Sequence, residues 1–171
     1  MAQAAHWLRL NFLLLPQRRP RYRAMGQDAA KELPRTAISA ERVRGITGSS
    51  AVGSRYHPVG SGRCLTKDYT KNTAVLGKGR HSTVMTVHRN IDQRRCALKA
   101  YHRQMMSREA IGLMVSEAEI LLAIDHPHIV RLYDVYEPDR ETLYMILECC
   151  AGGELYSHLM QRGRLPEAEA A

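Results

Sequence analysis

Leu76-Gly77-Lys78-Gly79-Arg80-His81-Ser82-Thr83-Val84 lies between two short apolar runs, and its reading decides the fold of this 171-residue chain. Ahead of it, Thr73-Ala74-Val75-Leu76 reads as a strand; behind it, the β-branched Thr83-Val84-Met85-Thr86-Val87-His88 reads as a second. A Gly-Lys-Gly turn that joins strand to strand differs from the dinucleotide-binding turn, which leads from a strand into a helix. Glycines in such a hairpin let the backbone approach a ligand closely and aim its N–H groups at oxygen, which suits phosphate. Standing alone, the motif is only a turn.

Working outward, Asn90-Ile91-Asp92-Gln93 supplies a turn into a third strand, Arg95-Cys96-Ala97-Leu98-Lys99-Ala100-Tyr101. Its period of two puts Ala97 and Lys99 on one face and Cys96, Leu98 and Ala100 on the other. A helix follows, with Ser107 as N-cap and Glu109 in its first turn, and Asp125-His126-Pro127 ends it. Helical spacing gathers Leu113, Met114, Ile120, Leu121 and Ile124 on one stripe, opposite Glu109, Gly112, Ser116 and Glu119. Beyond the helix, residues 129–136 and 143–147 read as strands four and five, joined through Pro138-Asp139-Arg140-Glu141. Cys149-Cys150-Ala151-Gly152-Gly153 is then a loop, Glu154 to about Gln161 a helix, and Leu165-Pro166-Glu167 another helix start.

Glu117 breaks the helical pattern, because its neighbours at three and four residues are Leu113, Met114, Ile120 and Leu121. A carboxylate on a buried face requires a cation, and Lys99, on the strand just before the helix, is the natural partner. Glu119 is the rival acid; on the polar face it reads as an ordinary surface residue.

Taken together, these residues resemble a eukaryotic protein kinase. Residues 76–84 look like the Gly-rich loop, Cys96-Ala97-Leu98-Lys99 is similar to the Val-Ala-Ile-Lys motif, and Glu117 falls where the helix glutamate pairs with that lysine. Residues 125–133 look like the entry to the fourth strand, and Tyr144–Leu155 resembles the hinge. The resemblance implies an α+β fold: a small lobe of a five-stranded antiparallel sheet plus one helix, with the first helices of the larger helical lobe behind it. It further implies that Gly77 and Gly79 cover the phosphates of ATP, that Leu76 and Lys78 beside them belong to the nucleotide-binding residues, and that Val84 and Ala97 pack on adenine. Lys99 would hold the α- and β-phosphates, oriented by Glu117. Leu147 resembles the gatekeeper, the backbone of Glu148 and Cys150 would bond adenine, and Glu154 would reach the ribose. The run Glu117-Ala118-Glu119-Ile120-Leu121, Asp125-His126-Pro127 and Gly152-Gly153-Glu154-Leu155 most resemble the calcium/calmodulin-dependent and calcium-dependent serine/threonine kinases.

Two departures stand out. Ser82 replaces the third loop glycine, and no His-Arg-Asp, Asp-Phe-Gly or Ala-Pro-Glu motif follows within the 171 residues. Without the catalytic Asp and the metal ligands, Mg²⁺ and phosphoryl transfer to a protein substrate are expected only of a complete kinase. Two readings follow: the front of a serine/threonine kinase, or a short kinase-like module that binds nucleotide or a partner without transferring phosphate.

The rest of the chain differs in charge. Residues 1–70 hold 12 Lys/Arg against 4 Asp/Glu, while residues 71–171 hold 13 of each, so the whole +8 belongs to the front. The apolar opening Trp7–Leu15 is shorter than the ~20 residues a spanning helix needs. Arginines follow it rather than precede it, unlike a secretory signal, and leave an organelle-targeting presequence open. Met25-Gly26-Gln27-Asp28-Ala29-Ala30 only partly matches a myristoylation start. Nine of the nineteen residues from Gly45 to Arg63 are Gly or Ser, which reads as a flexible linker. The expected division is a basic, largely disordered segment over 1–68, a kinase-type lobe over 69–148, and a hinge with the start of the second lobe over 149–171. No nucleic-acid partner is expected, and any membrane association of the basic front is expected to be weak. Cys64, Cys96, Cys149 and Cys150 show no CxxC spacing, so neither zinc nor a disulfide framework is indicated, and a cytoplasmic location is expected.

Overall fold

A computed structural model of the chain describes residues 37–47 and 52–170. The readings of Trp7–Leu15 and of Met25–Ala30 lie outside the described residues.

The glycine hairpin joins β2 (Tyr69–Lys78) to β3 (Ser82–Arg89), and β4 (Arg95–His102) follows through the Asn90–Gln93 turn. A 3₁₀ turn at Arg103–Met105 leads into the main helix, Arg108–Ala123. The Ser107 side chain accepts a bond from the Ala110 N–H at 3.2 Å, the capping its position predicts. Strands β5 (Leu132–Tyr136) and β6 (Thr142–Glu148) follow, and then two helices, Leu155–Arg162 and Glu167–Ala170. The fourth strand begins three residues later than its apolar run suggests, because Ile129 closes a turn onto His126, its N–H donating to that carbonyl at 3.1 Å.

The sheet has six strands rather than five. Tyr56–His57 forms β1, parallel to β5, and the spatial order is β1-β5-β6-β4-β3-β2, with every other neighbouring pair antiparallel. Among the described residues, two short helices and one longer one precede β2, so numbering in chain order gives α1 (Ala40–Thr47), α2 (Val52–Arg55), α3 (Leu65–Asp68), α4 (Arg108–Ala123), α5 (Leu155–Arg162) and α6 (Glu167–Ala170).

The described part of residues 1–68 is therefore structured, against the reading of a disordered segment and linker. Ser39 caps α1, accepting from the Arg42 N–H at 3.4 Å, and Ile38 and Val43 are buried in the main core. The second half of the Gly/Ser-rich stretch uses its glycines for turns: Gly60 and Gly62 take φ of +82° and +75°, which only glycine adopts freely. Composition points to a linker; long-range contacts decide otherwise. His57 Nε2 lies 3.0 Å from Asp134 Oδ1, the Tyr69 hydroxyl donates to Asp134 Oδ2 at 2.5 Å, and the Tyr136 hydroxyl donates to Asp68 at 2.7 Å. Burial, and next the bond to Asp134, raises the Tyr69 hydroxyl well above the usual tyrosine range and keeps it a donor.

Apolar side chains pack on both faces of the sheet. One cluster, between sheet and α4, contains Val84, Ala97, Tyr101, Met145 and Leu147 with Met114, Val115, Ala118, Leu121 and Leu122. The other, on the opposite face, contains Leu65, Tyr69, Val87, Cys96, Leu98, Tyr136 and Ile146. The alternation along β4 is the one its sequence predicts. The stripe on α4 is not. Leu113 and Ile120 are 62% and 47% exposed, whereas Val115, Ala118, Glu119 and Leu122 are buried. The covered face is rotated because α4 is packed on two sides, by the sheet and by α1.

Candidate functional site

β4 places Lys99 between two neighbours on the inner face of the sheet: Val84 of β3 and Met145 of β6 stand directly across from it. Two residues earlier, Ala97 stands opposite Leu147. Lys99, Val84, Ala97 and Leu147 are all buried. A buried ammonium demands a counter-charge, and α4 supplies it: Lys99 Nζ lies 2.7 Å from Glu117 Oε1. Glu117 sits at the edge of the helix's covered face rather than in its middle, with 14% of its side chain exposed.

Tyr101 completes the arrangement, and the sequence reading misses it. Its hydroxyl donates to Glu117 Oε2 at 2.6 Å, and its ring lies 4.9 Å from the Lys99 ammonium. Burial, then the charge of Glu117, raises that hydroxyl far above the usual tyrosine range, so it remains a donor. The signal was present: Tyr101 is two residues beyond Lys99 on the same strand face.

The hairpin beside this pair is tight. The Gly79 N–H donates to the Ser82 carbonyl at 2.8 Å, and a Cβ at Gly79 would meet Ser82 Oγ at 3.0 Å. Gly77 pairs with Val84 next to an irregularity in the β2 register. Leu76 and Lys78 are exposed on the same strand. At the other end, Glu148 closes β6, its N–H donating to the Arg131 carbonyl at 2.8 Å, and Cys150 packs partly buried against the core. Glu154 is the N-cap residue of α5, with the Ser157 hydroxyl 3.4 Å from its carboxylate. Lys99, Glu117, Val84, Ala97 and Leu147 thus meet on one sheet face, and the hairpin and hinge flank them.

These groups fit a nucleoside triphosphate: an ammonium fixed by a carboxylate, a glycine hairpin whose backbone a ligand can approach closely, and apolar side chains beside them. They do not fit a metal ion. Among the described residues no group of three His, Cys, Asp or Glu could hold one, and Glu117 is taken by Lys99 and Tyr101.

The fold and this pair define a protein kinase small lobe, and residues 70–171 match the protein kinase domain family, to which the chain belongs. Among its relatives are the serine/threonine-protein kinase kin-29 of Caenorhabditis elegans, 36% identical over 92 residues, and the serine/threonine-protein kinase ULK3 of Mus musculus, 36% identical over 99. These stretches cover 54% and 57% of this chain but only 11% and 21% of the relatives. The chain is also 31% identical over 102 residues to the SIK3 homolog of Danio rerio, covering 60% of this chain and 8% of that one. Among solved structures, Rad53 1-466 in complex with AMP-PNP superposes with a TM-score of 0.56 at 30% identity, over 61% of this chain and 27% of that one.

Proposed function

We propose that residues 69–154 form the ATP-binding half of a serine/threonine protein kinase. The observation that carries this reading is the Lys99–Glu117 pair at 2.7 Å, set on the same sheet face as Val84, Ala97 and Leu147 beside the Gly77–Gly79 hairpin. Lys99 would hold the α- and β-phosphates, Gly77, Lys78 and Gly79 would cover them, and Val84, Ala97 and Leu147 would enclose adenine. Leu76 would close over the base, the backbone of Glu148 and Cys150 would bond its edge, and Glu154 would reach the ribose. ATP supplies the transferable phosphoryl group; these residues bind and orient it. The nucleotide AMP-PNP in the Rad53 structure and the serine/threonine kinases among the relatives support the reading.

The finer assignment to the calcium-dependent group rests on the Glu117–Leu121 run and on Gly152-Gly153-Glu154-Leu155. The substrate would be a protein hydroxyl. The 171 residues themselves contain no catalytic-loop or Asp-Phe-Gly motif, so this chain by itself would bind without transferring phosphate.

Titration calorimetry of the 171-residue chain with ATP tests the reading. Lys99→Met is expected to weaken binding by about tenfold or more, since a hydrogen bond to a charged group contributes roughly 1.5–3 kcal/mol. Equal affinity of the variant and the parent would overturn the assignment.

A further inference from the structure

Glu117 and Glu119 lie two positions apart on α4, which separates them by about 200° around the helix. They therefore face different partners. Glu119 has 2% of its side chain exposed. Its Oε1 accepts from the Ser39 N–H at 2.8 Å and from Arg42 Nη2 at 2.7 Å, and Arg42 Nε stands 3.0 Å from both carboxylate oxygens. Arg42 is itself steadied by the Ala37 carbonyl at 2.8 Å. A buried carboxylate stays ionised only where such donors meet it, so the sequence reading of Glu119 as a surface residue is corrected here.

Two further attachments reach α4 from the same part of the chain. The Arg55 guanidinium donates to the Leu122 carbonyl, in the last turn of α4, and to the Leu132 carbonyl of β5 at 3.1 Å. Last-turn carbonyls lack an intrahelical partner, and a cation there also complements the helix dipole. Ile38 and Val43 are buried with Val115, Ala118 and Leu122 in the main cluster. Ile38, Ser39, Arg42, Val43 and Arg55 all lie ahead of the 70–171 kinase match.

We propose that residues 37–47 and 52–57 brace α4, with Arg42 and Arg55 as positioning residues that act through the helix on the Lys99–Glu117 pair. Both carboxylates ride on one rigid helix. A rotation or outward swing that withdraws Glu117 from Lys99 must also draw Glu119 away from Arg42 and Leu122 away from Arg55. Each attachment therefore raises the free energy needed to break the others. Release of the brace, by displacement of residues 37–47 and 52–57, would leave Lys99 without its partner and weaken the nucleotide site. That last consequence rests on the function proposed above; the bracing itself does not.

Hydrogen exchange and lysine acylation on the 171-residue chain test the bracing without nucleotide, and ATP titration is run alongside. Arg42→Ala is expected to speed exchange of the 108–123 amides and acylation of Lys99 by about tenfold, with β3 and β4 amides unchanged within about twofold. The exchanged pair R42E/E119R is expected to restore both rates in part, since it re-forms the ion pair but leaves the Ser39 N–H without its acceptor. A contribution to global stability alone would speed exchange of the β3 and β4 amides together with those of α4. Parent rates for α4 and Lys99 in Arg42→Ala would overturn the proposal. If Arg42→Ala instead loosens the whole sheet, the swapped variant decides. Recovery of the sheet and of Lys99 protection supports the brace; recovery of the sheet alone, or no recovery, refutes it. A parent chain that fails to bind ATP would refute the nucleotide reading and leave the exchange and acylation result to judge the brace.

Discussion

The two sides of α4 carry the same chemistry with different reach. Toward the sheet, Glu117 takes Lys99 and Tyr101, partners only 18 and 16 residues away in sequence. Toward α1, Glu119 takes Arg42, 77 residues upstream. Burial differs too: the Lys99 side chain is 8% exposed and that of Arg42 40%. On the first side both ions are largely shielded from water. On the second the carboxylate is, while the arginine is not. The comparison teaches that a helix at the centre of a site can be held by pairs of unequal exposure, and that breaking the more exposed one strands less charge away from water.

The comparison breaks most directly at Glu117. Glu117→Ala leaves a buried ammonium without its counter-charge, and unfolding in urea is expected to show a loss of roughly 3–5 kcal/mol. A loss below about 1 kcal/mol, the range of an exposed pair, would mean that Lys99 is better hydrated than its burial indicates. Glu119→Ala should come second, at about 2–3 kcal/mol, because the stranded Arg42 can turn to solvent while the Ser39 N–H loses its acceptor. An unchanged urea midpoint there would show that α1 does not hold the helix through this carboxylate. The smallest change sharpens the first side only. Tyr101→Phe keeps the ring over Lys99 and removes one bond to Glu117, for an expected loss of about 1–2 kcal/mol. A destabilisation equal to that of Glu117→Ala would make the tyrosine, rather than the lysine, the principal partner.

Legibility followed sequence distance. Ala97 and Lys99 share a face because a strand alternates, Ser107 caps α4 because a hydroxyl meets free N–H groups, and Glu117 was conspicuous among apolar neighbours at helical spacing. Tyr101 obeyed the same alternation and was readable by it. Ser39, which caps α1, does not enter a reading of residues 1–68 that rests on charge and Gly/Ser composition. Compositional reasoning judges whether a stretch can bury enough of itself, and cannot count burial offered by a distant surface. The same limit explains β1, whose two residues acquire strand geometry only from pairing with Val135 and Tyr136.

By itself the sequence determined the order of strands and helix, the glycine hairpin, and the lysine and glutamate that face each other across the small lobe. Those are consequences of backbone periodicity and caps, which operate within a few residues. Only the tertiary structure decided how much of α4 is covered. Helical geometry assigns each residue to an angle around the axis but says nothing about how many angles have neighbours. Leu113 and Ile120 are exposed and Glu119 is buried because the sheet occupies one side of the helix and α1 another. That second neighbour is brought in by chain folded back from far upstream, beyond the reach of any local pattern.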